Sequence, residues 1–269
     1  MTDSTPREIS VARFYDGVKF GLPTATPEQA RFLGEHLLGQ VGLRSSDLRE
    51  WSVLEVGTGR GNWTSILSVE ADEYEGVDLS PETVEYIRAH ITPRVRVGNA
   101  KQIPFEEGRF DAAFAIGVLP AVDGDRMAFS ELARILKKGG RLFLMGYGRV
   151  FPRNAIRDII RRVTLGWTEE KKTKLCHQFT RWADLPIPEA WWFQGDQMYA
   201  QLDWYYAPIQ NRHTRPQLEK WCAEEGLVPL AFSPYPHRCR MFFHEAASRL
   251  PGLSRWLGPD WFFVAQKSR

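Results

Sequence analysis

The sequence predicts an α/β fold in which a mostly parallel sheet is covered by helices on both faces, and two observations carry that reading. From Trp51 to Gly148, short apolar strand-like runs alternate with helix-like segments, the pattern that builds a parallel sheet. Within those runs the apolar residues stand together instead of alternating, as expected of strands buried on both sides.

Five strands are expected in that block, at 51–56, 74–78, 95–98, 110–116 and 140–146, with helices starting near Asn62, Pro81 and Asp125. Ser80 is placed to cap the second of these helices and Pro81 to occupy its first position. The run FSELARILKKGG ends in basic residues followed by Gly139 and Gly140, a helix C-terminus signal. Ahead of the block, 9–20 and 27–42 read as helices joined by the turn-rich GLPTATP, so residues 1–50 are expected to form a helical lid. Beyond it, 149–213 break the alternation with RVTLGW, EEKKTK and WADLPIPEAWWF and read as an inserted helical cap. Thr214 and Gln217 then form a capping-box pattern opening a helix through Glu225, closed by Gly226. VPLAFSPY and WFFVAQK supply two more strands, so that 214–269 complete the sheet around the core at 51–148. The whole of 1–269 is expected to be a single domain, without internal repeats.

Composition narrows the classes of function. With 269 residues, 43% hydrophobic and 25% charged, the chain belongs among globular proteins with a sizeable core. A net charge of +2 is too small for a nucleic-acid track or an anionic-membrane patch. Residues 1–150 hold 18 basic and 21 acidic groups, whereas 151–269 hold 17 and 12, a mild basic lean toward the C-terminal part. Cys176, Cys222 and Cys239 have no CxxC spacing, which points away from a disulfide framework or a four-sulfur zinc site. MTDSTPREIS lacks a basic region followed by an apolar run, and no segment approaches 18 uncharged apolar residues, so a cytoplasmic protein without a membrane span is expected.

The most informative stretch is VLEVGTGRGNW, an apolar strand running into Gly57, Gly59 and Gly61 and then a helix start. Glycine suits a sharp turn against which a ligand lies close to the backbone. A dinucleotide site wants G-x-G-x-x-G and a phosphate loop ends in Gly-Lys-Ser/Thr. Here the spacing is G-x-G-x-G with no lysine following. Asp78 ends the second strand 21 positions after Gly57, where a carboxylate can accept from both hydroxyls of a ribose, and so points to an adenosine-like ligand.

With these residues the chain resembles the class I S-adenosylmethionine-dependent methyltransferases, in the broad small-molecule group called type 11. The motifs that carry the resemblance follow in the family's order over about 51–148: Glu55-Val56-Gly57-Thr58-Gly59-Arg60-Gly61, then Gly76-Val77-Asp78-Leu79-Ser80-Pro81, Asn99-Ala100 with Ile103-Pro104-Phe105, the strand Phe110 to Ile116, and Leu136 to Leu142. A weaker resemblance extends through DWYYAPIQNRHT to EEGL. It implies a Rossmann-like seven-stranded sheet whose last strand is antiparallel, and S-adenosylmethionine as cofactor with S-adenosylhomocysteine as product. By position, Glu55, Gly57, Thr58, Gly59 and Gly61 would line the methionine part, Asp78 with Leu79 the ribose, Asn99 and Ala100 the adenine, and Ile116-Gly117 the edge near the sulfonium. Tyr15 resembles an aromatic residue that closes over the cofactor. Two departures stand out: Asn99 replaces a commoner Asp, and Val118-Leu119-Pro120 stands where relatives often have a His.

Methyl transfer from a sulfonium is chiefly a matter of alignment, while a hydroxyl or acidic carbon acceptor also needs a base. His213, Asp203 and Tyr206 are the candidate catalytic residues, with Tyr205, His177, His237 and His244 behind them. Eight of the ten tryptophans lie after residue 150, so 149–213 with 236–260 are expected to enclose a small aromatic or lipophilic acceptor. Arg181, Arg212, Arg238 and Arg240 stand ready there for a carboxylate or phosphate. Nucleic-acid methylation would place Asn/Asp-Pro-Pro-aromatic after the fourth strand, where this chain reads Ile-Gly-Val-Leu-Pro. Metal-dependent catechol methylation would need carboxylates after the fourth and fifth strands, and Tyr147-Gly148 follows the fifth, so no metal is expected. Protein methylation and a non-catalytic S-adenosylmethionine-binding module are the remaining alternatives.

Overall fold

The computed structural model describes residues 5–17, 35, 38–39, 41–59, 61–148, 153–182, 205–234 and 261–268. Seven strands form one sheet: β1 (Ser52–Val56), β2 (Glu73–Asp78), β3 (Val95–Val97), β4 (Phe110–Ile116), β5 (Leu136–Gly146), β6 (Leu227–Pro234) and β7 (Trp261–Lys267). Their order is β3-β2-β1-β4-β5-β7-β6, and β7 alone runs antiparallel to its neighbours. The described helices are α1 (Pro6–Gly17), α2 (Thr64–Glu70), α3 (Pro81–His90), α4 (Asp125–Arg134), α5 (Arg153–Val163), α6 (Glu169–Trp182) and α7 (Arg215–Glu224). The expected doubly covered, mostly parallel sheet is the observed one.

Consecutive strand residues feed two separate cores, which explains why the apolar runs do not alternate. Leu54, Ala113, Leu142, Leu144 and Phe263 face Phe129 and Leu132 of α4 and Trp221 of α7. Val53, Phe114, Phe143, Phe262 and Val264 face Ile66 and Leu67 of α2 and Val84 and Ile87 of α3. The edges are managed differently. β6 carries Pro229, tolerated because the strand is at an edge and its register shifts between Pro229 and Ala231.

Local chemistry sets the element boundaries, and three of them depart from the sequence reading. α1 begins at Pro6, ahead of the expected residue 9, because Thr5 and Glu8 cap it reciprocally: Glu8 N donates to Thr5 Oγ1 at 3.3 Å and Thr5 N to Glu8 Oε2 at 2.7 Å. The helix before β5 ends at Arg134, not at Gly139-Gly140, and the strand begins at once with Leu136. Leu136 pairs with Phe110 and Arg141 with Ala112, so Lys137 to Gly140 form a bulge. Gly140 is needed there because a Cβ would lie 2.9–3.2 Å from the carbonyl oxygens of Lys137, Phe110 and Asp111. α7 starts after Thr214 as expected, but the Thr214 hydroxyl makes no capping bond. Pro216 in the first turn, with its fixed φ, carries that helix start instead. Ser80 does cap α3, accepting from Thr83 N at 2.9 Å.

Of the stretch 149–213, helices α5 and α6 lie within the described residues 153–182, and 205–213 are also described, whereas the expected helix at 27–42 lies largely outside the described residues. Among the described residues, no helix is long and apolar enough to cross a membrane.

Candidate functional site

The order β3-β2-β1-β4 sets the C-terminal ends of four parallel strands side by side, and the residues that the sequence assigns to a cofactor lie at these ends. Such carboxyl edges are where open α/β sheets bind ligands. At the end of β1 the chain turns through Gly57, Gly59 and Gly61, at φ of +75°, +49° and +82°. Gly57 N donates to Val77 O at 2.7 Å, which ties the turn to β2, and a Cβ at Gly57 would stand 2.4 Å from Val118 Cγ2. By contrast, a Cβ built on Gly59 or on Gly117, the residue just beyond β4, would meet nothing within 4 Å. The turn is thus packed underneath and open at these two points. Thr58 is buried and Leu79, Ile116 and Gly117 are half-buried.

Asp78, half-buried at the end of β2, joins the two lips of this opening. Its Oδ2 accepts from Gly59 N at 2.9 Å and Thr58 Oγ1 at 3.4 Å, and its Oδ1 from Ser80 N at 2.9 Å. Glu55 lies below, 3% exposed, where Tyr74 Oη and Thr64 Oγ1 both donate to its Oε2, at 2.6 and 2.8 Å. Burial pushes the Glu55 carboxyl up to about 8, opposed by those hydrogen bonds and reinforced by the charge of Asp78. Glu55 therefore touches the turn's foundations.

Asn99, after β3, is buried and has an unexpected partner. Its Nδ2 donates to Glu8 Oε1 at 3.0 Å while its Oδ1 accepts from Lys101 N at 2.9 Å. Lys101 Nζ reaches the same Glu8 oxygen at 2.7 Å. Burial works against the charge of Glu8, but bonds from Lys101 and Asn99 hold its carboxyl below the ordinary value. α1 is thereby latched to the loop after β3 and, through Arg7 and Asp123 at 3.6 Å, to the loop after β4. An Asp at 99 would confront Glu8 with a second acceptor, which accounts for the amide. Asn99→Asp is expected to cost about 1–3 kcal/mol of stability at pH 7, where both carboxylates are ionised, and less at pH 3, where the introduced Asp is protonated. Thermal melts at the two pH values check it, and equal losses would refute the charge conflict. Glu8 was not anticipated as a site neighbour, although Thr5-Pro6-Arg7-Glu8 carries the capping-box spacing that buries it. Tyr15 falls on α1, and Ala100 is buried beside Asn99.

The candidate bases are distributed differently. His213 has no exposed side-chain surface: Nε2 lies 2.7 Å from Asp125 Oδ2, and its ring meets Trp221 and Trp261 edge-on at 5.3 and 6.1 Å. Its backbone N donates to Tyr147 O at 3.1 Å and its carbonyl accepts from Trp261 Nε1 at 3.2 Å. The ring packs as an interior anchor behind the end of β5. Tyr206 is half-buried, with Lys172 Nζ 5.3 Å from its ring centre, and burial raises its phenol above the ordinary value, which disfavours the ionised form a base requires. Asp203 lies outside the described residues, as do His237 and His244.

Comparison with known proteins places this arrangement. Residues 54–144 match the family described as methyltransferase domain. O-methyltransferase cnsE of Penicillium expansum is 30% identical over 125 residues, 44% of this chain and 45% of that protein. O-methyltransferase rstn1 of Aspergillus nomiae is 30% identical over 116 residues, 40% of this chain and 52% of that one. The chain thus spans about half the length of the curated relatives it matches. Among solved structures, geranyl diphosphate C-methyltransferase from Streptomyces coelicolor A3(2), with Mg2+, geranyl diphosphate and S-adenosyl-L-homocysteine, superposes with a TM-score of 0.54 at 19% identity over 100% of both chains. Magnesium protoporphyrin IX methyltransferase from Synechocystis PCC 6803 gives 0.55 at 12% identity, over 95% of this chain and 94% of that one. The stretch that builds the site, residues 54–144, thus matches a methyltransferase domain, and the chain shares its fold with solved methyltransferases.

Proposed function

We propose that the chain transfers the methyl group of S-adenosylmethionine to a small aromatic or lipophilic acceptor, with oxygen as the favoured nucleophile. The observation that carries this reading is the 2.9 Å bond between Gly59 N and Asp78 Oδ2. It sets the glycine turn and a carboxylate at one opening, with free space over Gly59 and Gly117. The names of the fungal relatives support oxygen as the nucleophile, and tryptophan enrichment after residue 150 supports a flat or apolar acceptor.

The residues present fit the cofactor: Gly57, Thr58, Gly59 and Gly61 would hold its methionine part, Asp78 and Leu79 its ribose, Asn99 and Ala100 its adenine, and Ile116-Gly117 the methyl-bearing end. Bound S-adenosylmethionine supplies a methyl carbon on a positively charged sulfur, which becomes neutral when the methyl leaves in line with the nucleophile. The chain's task is alignment, which contributes on the order of 7–11 kcal/mol when the near-attack geometry is enforced. The walls fixed by Asn211 on the β4 loop and His213 on the β5 end perform that task. The buried His213–Asp125 pair fits a positioning role better than proton abstraction.

Calorimetric titration with S-adenosylmethionine, S-adenosylhomocysteine and NAD tests the reading. Binding of the two sulfur ligands and not of NAD is expected. Binding of NAD alone, or of none of the three, would overturn it.

A further inference from the structure

Beyond β5, the cap helix α5 and the segment 205–213 bring three guanidinium groups together. Arg157, 2% exposed, donates from Nε and Nη2 to Asp158 Oδ1 at 3.2 and 2.8 Å, and Arg212 Nη2 reaches the same oxygen at 3.0 Å. Arg161 spends Nη1 and Nη2 on the carbonyls of Tyr205 and Ala207, at 2.9 and 2.8 Å. Asp158 is the carboxylate that Arg157 and Arg212 share, and its side chain is 47% exposed. Arg212 Nε, buried, has no hydrogen-bond partner among the described residues. Burial first, and then the neighbouring charge of Arg157, push Arg161 below its ordinary value.

The cluster is tied to the methyl-transfer end of the site. Asn211, next to Arg212, donates from its backbone N to Pro120 O at 2.8 Å and from Nδ2 to Leu119 O and Val122 O at 3.2 and 2.7 Å, all on the loop after β4. His213, on the other side, is bonded to Tyr147 after β5. Arg212 is thus held between the ends of the two strands beside which the open Gly117 lies. A guanidinium edge with an unused N–H matches an oxyanion.

We propose that Arg212, backed by Arg161 and Arg157, binds an oxyanion on the acceptor, so that the acceptor is a small organic acid or phosphate ester methylated away from its charged group. This rests on the methyltransferase reading and narrows its substrate class. The exposed Asp158 acts as a competing internal anion that the acceptor's oxyanion displaces from Arg212.

The test uses the full-length protein titrated with inorganic phosphate and, separately, with benzoate, each against chloride at matched ionic strength. At least one is expected to bind, and which one does separates a phosphate ester from a carboxylic acid. Arg212→Gln is expected to weaken that binding about tenfold, whereas Asp158→Asn is expected to tighten it. A gain on removing Asp158 cannot come from a damaged fold. Absence of binding by both probes, unchanged affinity in R212Q, or weaker binding in D158N would overturn the proposal. S-adenosylhomocysteine titrated into the wild-type protein reads the cofactor site independently, so its failure is distinguishable from failure of the anion site.

Discussion

Replacing Asp78 with alanine is expected to weaken S-adenosylhomocysteine binding by about 1.5–3 kcal/mol, roughly 10- to 150-fold, the range for hydrogen bonds to a charged group. The carboxylate ends β2 beside the glycine turn, and each of its oxygens already accepts a backbone N–H at 2.9 Å, from Gly59 and Ser80. These bonds fix the orientation of the carboxylate at the opening, where a ribose hydroxyl would exchange into its set of donors. Because the same bonds also shape the turn, affinity alone does not separate a ribose contact from a loosened loop. The 2′-deoxy analogue of S-adenosylhomocysteine does. The wild-type protein is expected to discriminate against the analogue, and D78A to bind both ligands alike. Equal discrimination by the two proteins would remove Asp78 from the ribose.

The reason this site was legible in sequence is that its determinants are local. Gly57 through Gly61, Asp78 and Ser80 each do their work within a few residues of a strand end, and the strand ends become neighbours through the parallel order alone. The two-faced burial of β1, β4 and β5 was likewise written in unbroken apolar runs. What was not legible depends on distant partners. Asn99 meets Glu8 across 91 positions, so the amide reads as a departure from the family's Asp until α1 is seen seated against it. The guanidinium of Arg134 donates to the carbonyls of Phe105 and Ile103, at 3.0 and 3.1 Å, and fixes the end of α4. Gly139-Gly140, read as a helix stop, belongs to the bulge that re-registers β5 on β4. His213 stands at a helix start where a base is plausible from sequence, but Trp221 and Trp261 close around it from elements 8 and 48 positions away.

Glu55 supplies the second large effect, on stability rather than binding. Its carboxyl titrates near 8 in the folded chain against an ordinary value of 4.5, so the folded state holds its proton more tightly than the unfolded state does. The sign follows from linkage: the contribution is fully present below about pH 4.5 and is lost progressively as the pH rises to about 8. At 1.36 kcal/mol per pH unit the loss is of order 5 kcal/mol. Both donors meet the single oxygen Oε2, which leaves Oε1 to carry the proton, and glutamine reproduces this arrangement with a neutral amide. Glu55→Gln is therefore expected to flatten the pH dependence, matching the wild type near pH 5 and exceeding its stability at pH 8. Urea unfolding of both proteins between pH 5 and 8 measures the difference, and parallel curves would show that Glu55 ionises freely. Asp78 links this effect to the first, since its charge opposes the ionisation of Glu55. Removing that charge lets Glu55 ionise at a lower pH in the folded chain, so less stability is lost on the way to pH 8. The advantage that E55Q confers at pH 8 is therefore expected to shrink when it is made in the D78A background. A carboxylate that faces the ligand and a buried acid that supports the turn thus report on one another through the field between them.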